Sequence, residues 1–470
     1  MEQIKNSLAD AKGSNDDPFE IDEEEAEASF RREFEAIDRH YATTETSNKD
    51  IVIQAVDYIE AQHKFATIEE TGEIRYYKDG VYVSGGEALI ERLAQAKFRE
   101  QMTLNRLREI KGHIRRETMH KLAEFDIDLS IINMENGLYN WQENRLDRHN
   151  PNYLSLKQTT YPYVKGAKPK IFGKFLSEVL YDREVRTGVE LMAYTFYRGN
   201  PFELYALLYG TGGNGKSVFT GVLTSLHGEG NVSNVPLKDI LHNNFAKADL
   251  ENKNVNIDTE LSSGVITDMA ELKKLTGKQP IRIERKHQSA YDTRLFTKFW
   301  FSANKVTFSD EETDADFRRR IIISFPNQFD GTKADTDLQE KLTSNEELSG
   351  IFNVLMTALR TIMKNKTVYV NQKTIAERRE KSELLRDPIG RFVADYVEFD
   401  FSSESATAKE DLHAEYRIWC AKHKLPIEQY DAFCKILKNR HNFLEDRETK
   451  GTRRRVWTGV RLKALAALMA

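Results

Sequence analysis

Lys216 and Ser217 end a glycine-rich segment whose residue types suit the binding of a phosphate chain. Residues 210–217 read Gly-Thr-Gly-Gly-Asn-Gly-Lys-Ser, which fits the pattern G-x-x-x-x-G-K-[ST]. Glycines let the backbone turn tightly, so that its N–H groups can point at phosphate oxygens. The lysine of this pattern reaches the β- and γ-phosphates, and the serine hydroxyl ligates Mg²⁺. The pattern therefore predicts a site for ATP and Mg²⁺ formed by Gly210, Thr211, Gly212, Gly213, Asn214, Gly215, Lys216 and Ser217.

Two carboxylates follow this segment at the end of a short apolar run. Residues 255–260 read Val-Asn-Ile-Asp-Thr-Glu, and on a regular strand Asp258 and Glu260 would share one face. Hydrolysis of ATP needs one acid near the metal ion and one near the attacking water. We expect Asp258 to join Ser217 at the metal, although the sequence leaves open which acid has which role.

An amide and a group of arginines complete the set of residues that could do chemistry. Asn304 follows the apolar run 299–303 and could hold the water or sense the γ-phosphate, or could simply end a strand. Arg318 and Arg319 precede the apolar run 321–323. An arginine that reaches a neighbour's γ-phosphate stabilises the charge of the transition state, and this arrangement requires a ring or filament. The alternative is a pair of surface arginines at the start of a strand.

The elements around these residues are predicted by hydrophobic spacing. Residues 204–209 form an apolar run of strand length, and residues 218–226 carry apolar side chains at helical spacing. Strand, glycine segment and helix are the context that a phosphate-binding loop needs; a glycine-rich turn with an incidental lysine is the alternative. Upstream, residues 74–83 and 131–141 predict hairpins with Asp-Gly and Asn-Gly turns, and residues 87–109 predict a helix.

The net charge of −5 conceals opposite charges at the two ends of the chain. Residues 1–50 hold 6 Lys/Arg against 15 Asp/Glu, a net −9, and residues 409–463 hold 14 against 8, a net +6. The basic end is a candidate for contact with an anionic polymer, although a solvated charged surface has the same composition. Two cysteines without a CxxC pattern, and no apolar run of membrane-spanning length, favour a reducing cytoplasmic compartment without disulfides or structural zinc.

The order of these motifs resembles that of the superfamily 3 helicases, a branch of the AAA+ ATPases. Within this branch the chain is similar to the phage, plasmid and poxvirus primase–helicase family, from about residue 50 to 463. Residues 268–277 and 280–286 resemble the family segment that ends in a DNA-gripping β-hairpin. The larger members carry an N-terminal primase domain, where this sequence has only a short acidic arm.

The resemblance implies roles for individual residues. It marks Asn304 as the sensor of the γ-phosphate and Arg318 or Arg319 as the arginine finger. It places Arg285, Lys286 and His287 at or near the tip of the DNA-binding hairpin. Residues 409–462 resemble a C-terminal winged-helix module, with a basic wing at Arg453, Arg454 and Arg455.

These observations predict an α/β fold with a P-loop core of the AAA+ type and two flanking domains. We expect an acidic, disordered arm (1–48), an α+β domain (49–170), a superfamily 3 ATPase domain (171–370) and a winged-helix domain (385–470). The expected function is that of a hexameric, ATP-dependent DNA helicase or replication initiator of a mobile element. Its expected partners are single-stranded DNA, duplex origin DNA and a primase or polymerase. The alternatives are an ATPase that remodels nucleoprotein complexes without unwinding, and a non-enzymatic DNA-binding scaffold.

Overall fold

The structure is a computed structural model that describes most of the chain from residue 51 onwards. The described ranges are 51–210, 212–261, 269–286, 289–304, 313–329, 335–368, 374–400, 405–423, 425–447 and 454–463. The predictions made for the acidic arm, Thr211, His287 and Arg453 lie outside these ranges.

The N-terminal part of the described chain alternates helices with short strands. In chain order its elements are α1 (Ile51–Gln62), β1 (Phe65–Ile68), β2 (Ile74–Lys78), β3 (Val81–Val83), α2 (Gly86–Phe98), α3 (Leu104–Glu117), β4 (Met119–His120), β5 (Ile131–Met134), β6 (Gly137–Asn140) and β7 (Arg145–Asp147).

One compact unit contains the described residues 51–65 and 85–118, and its three helices pack against one another. The single helix predicted over 87–109 is wrong, because α2 ends at Phe98 and α3 begins at Leu104. Arg99 has a φ of 45° and a ψ of −115°, which lie outside the helical region and interrupt the helix. Thr103 then caps α3, since its side chain accepts a hydrogen bond from the N–H of Arg106.

The second compact unit contains the described residues of the ranges 66–84 and 119–463 and begins with two small sheets. The first has the order β3-β2-β1-β4, and its β2–β3 hairpin turns at Asp79 and Gly80, both with positive φ, as the Asp-Gly pair predicts. The second is the meander β5-β6-β7. Here Met134 pairs with Gly137, so the turn lies one residue earlier than the Asn-Gly pattern predicts.

The middle of the chain forms a five-stranded parallel sheet with helices between its strands. The elements are α4 (Phe172–Val179), α5 (Asp182–Tyr194), β8 (Tyr205–Tyr209), α6 (Lys216–His227), β9 (Val232–Ser233), α7 (Leu237–His242), β10 (Val255–Asp258), α8 (Met269–Thr276), β11 (Ile281–Ile283), β12 (Tyr291–Thr293), β13 (Lys298–Ala303), α9 (Asp314–Arg319) and β14 (Arg320–Ser324).

The order of this sheet is β14-β8-β13-β10-β9, and every pairing in it is parallel. Successive side chains of β8 enter different cores: Ala206 and Leu208 join one cluster, whereas Tyr205, Leu207 and Tyr209 join another. This alternation explains the continuous apolar run in the sequence, because a parallel sheet is covered on both faces. The chain therefore has a mixed α/β fold built on a buried parallel sheet.

The C-terminal part consists of helices followed by small antiparallel sheets. Its elements are α10 (Leu338–Leu342), α11 (Asn345–Asn365), α12 (Ile375–Arg386), α13 (Pro388–Tyr396), β15 (Val397–Phe399), β16 (Ala406–Ala408), α14 (Lys409–His423), α15 (Tyr430–Arg440), β17 (Leu444–Arg447), β18 (Arg455–Thr458) and β19 (Val460–Leu462).

An aromatic core holds this last region together. Phe392, Tyr416, Trp419, Phe433 and Trp457 are fully or almost fully buried, and they come from α13, α14, α15 and β18. The sheet order is β16-β18-β17, with β15 and β19 forming a separate pair. In the part of the chain that the structure describes, no helix is long and apolar enough to cross a membrane.

Candidate functional site

The glycine segment connects the end of β8 to the start of α6, at the carboxyl edge of the parallel sheet. Gly213 and Gly215 have φ values of 70° and 88°, which favour glycine. A Cβ atom on Gly215 would also lie 2.6 Å from Val179 Cγ1, and one on Gly210 would lie 2.8 Å from the carbonyl oxygen of Phe325. The packing of the loop therefore requires glycine at these positions.

Lys216 lies inside this loop rather than in solvent. Its residue is 8% exposed, and its Nζ donates to the carbonyl oxygen of Gly210 at 2.5 Å, Asn214 Oδ1 at 3.1 Å and Asn304 Oδ1 at 3.2 Å. These three acceptors are neutral oxygens. Burial lowers the pKa of the Lys216 ammonium to about 8.

The register of the sheet explains why Asn304 reaches Lys216. β13 runs parallel to β8 with Ala303 opposite Tyr209, and the N–H of Gly210 donates to the carbonyl oxygen of Ala303 at 3.2 Å. The residue after each strand therefore lies at the same edge of the sheet. Asn304 and the first loop residue become neighbours although they are far apart in sequence.

Asn214 has unused hydrogen-bonding capacity at the centre of the loop. Its Oδ1 accepts from Lys216, but its Nδ2 is buried and has no hydrogen-bond partner within the described ranges. A buried donor without an acceptor is costly. An oxygen-rich anion in the loop would supply one.

The two acids differ in their surroundings, and the predicted shared strand face is wrong. β10 ends at Asp258, so Glu260 lies beyond the strand and is exposed. Asp258 is buried, and its carboxylate accepts from the backbone N–H of Leu237 at 2.8 Å and of Glu260 at 3.2 Å. Asp258 thus stabilises the start of α7 through Leu237 and the turn after β10 through Glu260.

The arginines of α9 lie at the opposite edge of the sheet from the loop, because they precede β14. A strand of five residues is roughly 16 Å long, so one chain does not bring Arg318 to its own Lys216. The side chain of Arg319 is 11% exposed and forms an ion pair with Glu203 at 2.5 Å. That of Arg318 is 58% exposed and lies 3.6 Å from the same carboxylate.

Glu203 carries no recognisable sequence signal, yet it anchors both arginines. It lies just before β8 and has a left-handed backbone with φ 55°, which is uncommon outside glycine. Its partners lie more than a hundred residues away in the sequence. Only the tertiary structure could identify this carboxylate.

β11 and β12 form the predicted hairpin, with Ile281 opposite Thr293. Arg285 does not extend into solvent there: its Nη2 donates to Glu251 Oε2 at 2.9 Å and to the carbonyl oxygen of Ala248 at 3.3 Å. Lys286 is exposed. Arg285 and Lys286, to which the resemblance assigned one role, therefore have different surroundings in the structure.

The basic residues of the C-terminal region are also separated. Arg455 is exposed at the start of β18. Arg454 forms ion pairs with Asp411 at 2.6 Å and Glu410 at 3.4 Å on α14. Exposed pairs of this kind are weak and salt-sensitive, so Arg454 is held only loosely.

Comparison with known sequence families gives two matches along the chain. Residues 19–181 match a family described as D5 N terminal like. Residues 208–320 match a family of unknown function, DUF5906. The second match contains the loop, both acids, Asn304 and the two arginines of α9.

Comparison with solved structures gives low-identity matches over most of the chain. The apo structure of the NrS-1 C terminal region is 12% identical, covers 88% of this chain and 100% of that chain, and has a TM-score of 0.45. An A-form apo structure of the same region is also 12% identical, covers 87% and 99%, and has a TM-score of 0.44.

Proposed function

We propose that this protein is an ATP-driven DNA helicase, or replication initiator, of a phage, plasmid or other mobile element. The observation that carries the proposal is the contact between the Lys216 ammonium and Asn304 at the carboxyl edge of the parallel sheet. It combines a phosphate-binding cation with an amide that can report on the γ-phosphate. The D5 N terminal-like match and the resemblance of the motifs to those of superfamily 3 helicases agree with a role in replication.

The residues of the loop fit a triphosphate. The glycine backbone leaves space for phosphate oxygens, the buried Asn214 amide lacks an acceptor, and Lys216 is desolvated among neutral oxygens. Phosphate oxygens would replace these acceptors and restore the full charge of the ammonium. Binding would therefore relieve a cost that the protein bears without nucleotide.

Ser217 and Asp258 are the residues that would hold Mg²⁺. Ser217 is exposed at the second position of α6, and each carboxylate oxygen of Asp258 can accept a second hydrogen bond from a water. Mg²⁺ neutralises charge on the phosphates when it is bound. Glu260, which is exposed, is the acid better placed to orient an attacking water.

Arg318 is the arginine that fits a finger acting on a neighbouring subunit. Arg319 is buried against Glu203 and cannot reach another chain without losing its partner. Arg318 is mostly exposed at the edge of the sheet opposite the loop, so subunits arranged head to tail would bring it to the next nucleotide. Head-to-tail contacts close into a ring, here proposed as a hexamer.

DNA would be moved by contacts that do not read base sequence. Lys286 is exposed beyond β11, where a cation can contact phosphates of a strand in the channel. The order of β16, α14, α15, β17 and β18 supports a winged-helix role for the C-terminal region, with Arg455 facing duplex DNA.

The test is ATP hydrolysis and strand displacement on a forked duplex by the wild-type chain and by Lys216→Ala. We expect hydrolysis stimulated by single-stranded DNA in the wild type and loss of both activities in the variant. Lys364→Ala, which removes an exposed lysine at the end of α11, is the matched control and should behave as wild type. Hydrolysis without strand displacement would instead favour a remodelling ATPase, and the absence of hydrolysis would favour a scaffold.

A further inference from the structure

A cleft of about 410 Å³ lies beside the β11–β12 hairpin, at the amino edge of the parallel sheet. This edge is opposite the phosphate loop. Its walls include Arg75 on β2, the turn Glu251–Lys253 before β10, Gly230 after α6, and Arg285 after β11. A volume of several hundred Å³ is typical of a site for a small molecule or for a short piece of a polymer.

Three cations and two acids line the cleft, which leaves one positive charge in excess. Arg75 pairs with Glu73 at 3.0 Å, and Arg285 pairs with Glu251 at 2.9 Å. Lys253 donates instead to the carbonyl oxygen of Gly230 at 2.6 Å. Lys253 is therefore the cation in the cleft that an anion would meet at the lowest cost.

The surroundings of Lys253 favour an incoming negative charge. Burial lowers its pKa, Asp249 opposes this effect, and the positive charge of Arg75 adds to it. The preceding residue, Asn252, has a left-handed backbone with φ 58°, a conformation that asparagine adopts more readily than most residues. This turn places Glu251 and Lys253 on the same cleft wall.

A donor and an acceptor inside the cleft wall lack partners. Glu251 is 8% exposed, and its Oε1 accepts no hydrogen bond from any described residue. The Nε of Arg285, whose Nη2 pairs with Glu251, likewise has no acceptor in the described part of the chain. A simple anion would satisfy only the cations. The edge of a nucleobase offers a donor and an acceptor together.

We propose that this cleft binds a segment of single-stranded DNA, with a phosphate at Lys253 and Arg75 and a base edge at Glu251 and Arg285. The proposal rests on the DNA-binding part of the function proposed above and adds a site outside the hairpin tip. Because Arg285 belongs to the hairpin segment, a strand held by Lys286 can continue into the cleft. A small side-chain movement would expose the two unpartnered atoms to the base.

The experiment measures binding of a fluorescent oligodeoxynucleotide by anisotropy over a range of salt concentrations. Lys253→Ala should weaken binding about threefold to tenfold at moderate salt and reduce the salt slope by about 0.7, as expected for the loss of one single-strand phosphate contact. Combining it with Arg75→Ala should reduce the slope by about 1.4. Lys253→Arg should restore most of the affinity, and Lys364→Ala should leave both quantities unchanged.

Unchanged affinity and slope in both the single and the double variant would overturn the cleft proposal. Lys253-dependent binding of dCMP, together with oligonucleotide binding that does not depend on Lys253, would also overturn it, because the cleft would then be a site for free nucleotides. Binding of a fluorescent ATP analogue should be the same in Lys253→Ala and wild type. Failure of ATP hydrolysis alone contradicts the function proposed above, whereas a salt slope insensitive to Lys253 contradicts only the cleft.

Discussion

At the scale of single residues, Lys216 is the most informative group in the protein. It is an ammonium held by neutral oxygens, and burial lowers its pKa to about 8. Lysines of phosphate-binding loops act through their charge, so the protonation of Lys216 should control nucleotide affinity. The side-chain amides of Asn214 and Asn304 position this ammonium without neutralising its charge.

Nucleotide affinity should therefore fall as pH rises above about 8. Below that pH Lys216 is already charged, and phosphates bind without uptake of a proton. Above it, binding must protonate the amine, so the dissociation constant should increase by up to about tenfold per pH unit until the pKa of the complex is reached. Titration of a fluorescent ATP analogue between pH 7.5 and 9.5 at constant ionic strength measures this dependence. A constant affinity across this range would contradict it.

The variant Asn304→Asp tests whether residue 304 influences the pKa of Lys216. It replaces an amide oxygen 3.2 Å from the ammonium by a carboxylate, which should raise the pKa of Lys216. The fall in affinity should then begin at a higher pH than in wild type. Because the carboxylate also repels the γ-phosphate, affinity at pH 7.5 should be lower. If the pH profile does not move, Asn304 does not set the environment of Lys216 in solution.

At the scale of elements, the α9–β14 junction assigns different tasks to adjacent arginines. Arg319 Nη1 donates to the carbonyl oxygen of Ala315 and its Nη2 pairs with Glu203, both within the packed structure. Arg318 points outward, while its own carbonyl oxygen accepts from Arg378 on α12. α9 thus places the guanidinium of Arg319 in a largely buried ion pair and leaves that of Arg318 exposed.

Arg319→Ala should destabilise the protein by about 2–4 kcal/mol, because it leaves Glu203 without its close partner in a largely buried site. Arg318→Ala should change the free energy of unfolding by less than about 0.5 kcal/mol, since that side chain is mostly exposed. Urea denaturation of the two variants and of wild type measures these changes in the free energy of unfolding. Equal losses of stability would contradict the division of roles.

At the scale of the whole molecule, the loop and Arg318 lie at opposite edges of one sheet. A site that uses both must be built from two chains. This is a consequence of strand direction: every strand in the sheet is parallel, so residues that precede a strand and residues that follow one are a strand length apart. Hydrolysis should therefore depend on assembly.

Mixing Lys216→Ala with Arg318→Ala subunits should restore activity that neither variant has alone. In a random equal mixture, about a quarter of the interfaces combine an intact loop with an intact arginine, so activity should approach about one quarter of wild type. Steady-state hydrolysis across mixing ratios, with the assembly verified by light scattering, provides the measurement. If mixtures that assemble show no recovery of hydrolysis at any ratio, the result would contradict an active site shared between subunits.

The sequence by itself determined the features that depend on local chemistry. The Gly-Lys-Ser pattern predicted the connection between β8 and α6, and the Asp79-Gly80 pair predicted the β2–β3 turn. These structures depend on which φ values a few consecutive residues can adopt, and this information is carried by residue type. The apolar run of residues 204–209 likewise indicated a strand.

The tertiary structure alone decided which of these residues meet. Asn304 contacts Lys216 across 88 residues because β13 lies beside β8 in parallel register, and Arg319 contacts Glu203 across 116 residues. Arg285 pairs with Glu251, although the resemblance placed it at or near the tip of the DNA-binding hairpin. Strand order and register follow from how both faces of the sheet pack against helices. That packing is a property of the whole unit, so no local pattern in the sequence could specify these contacts.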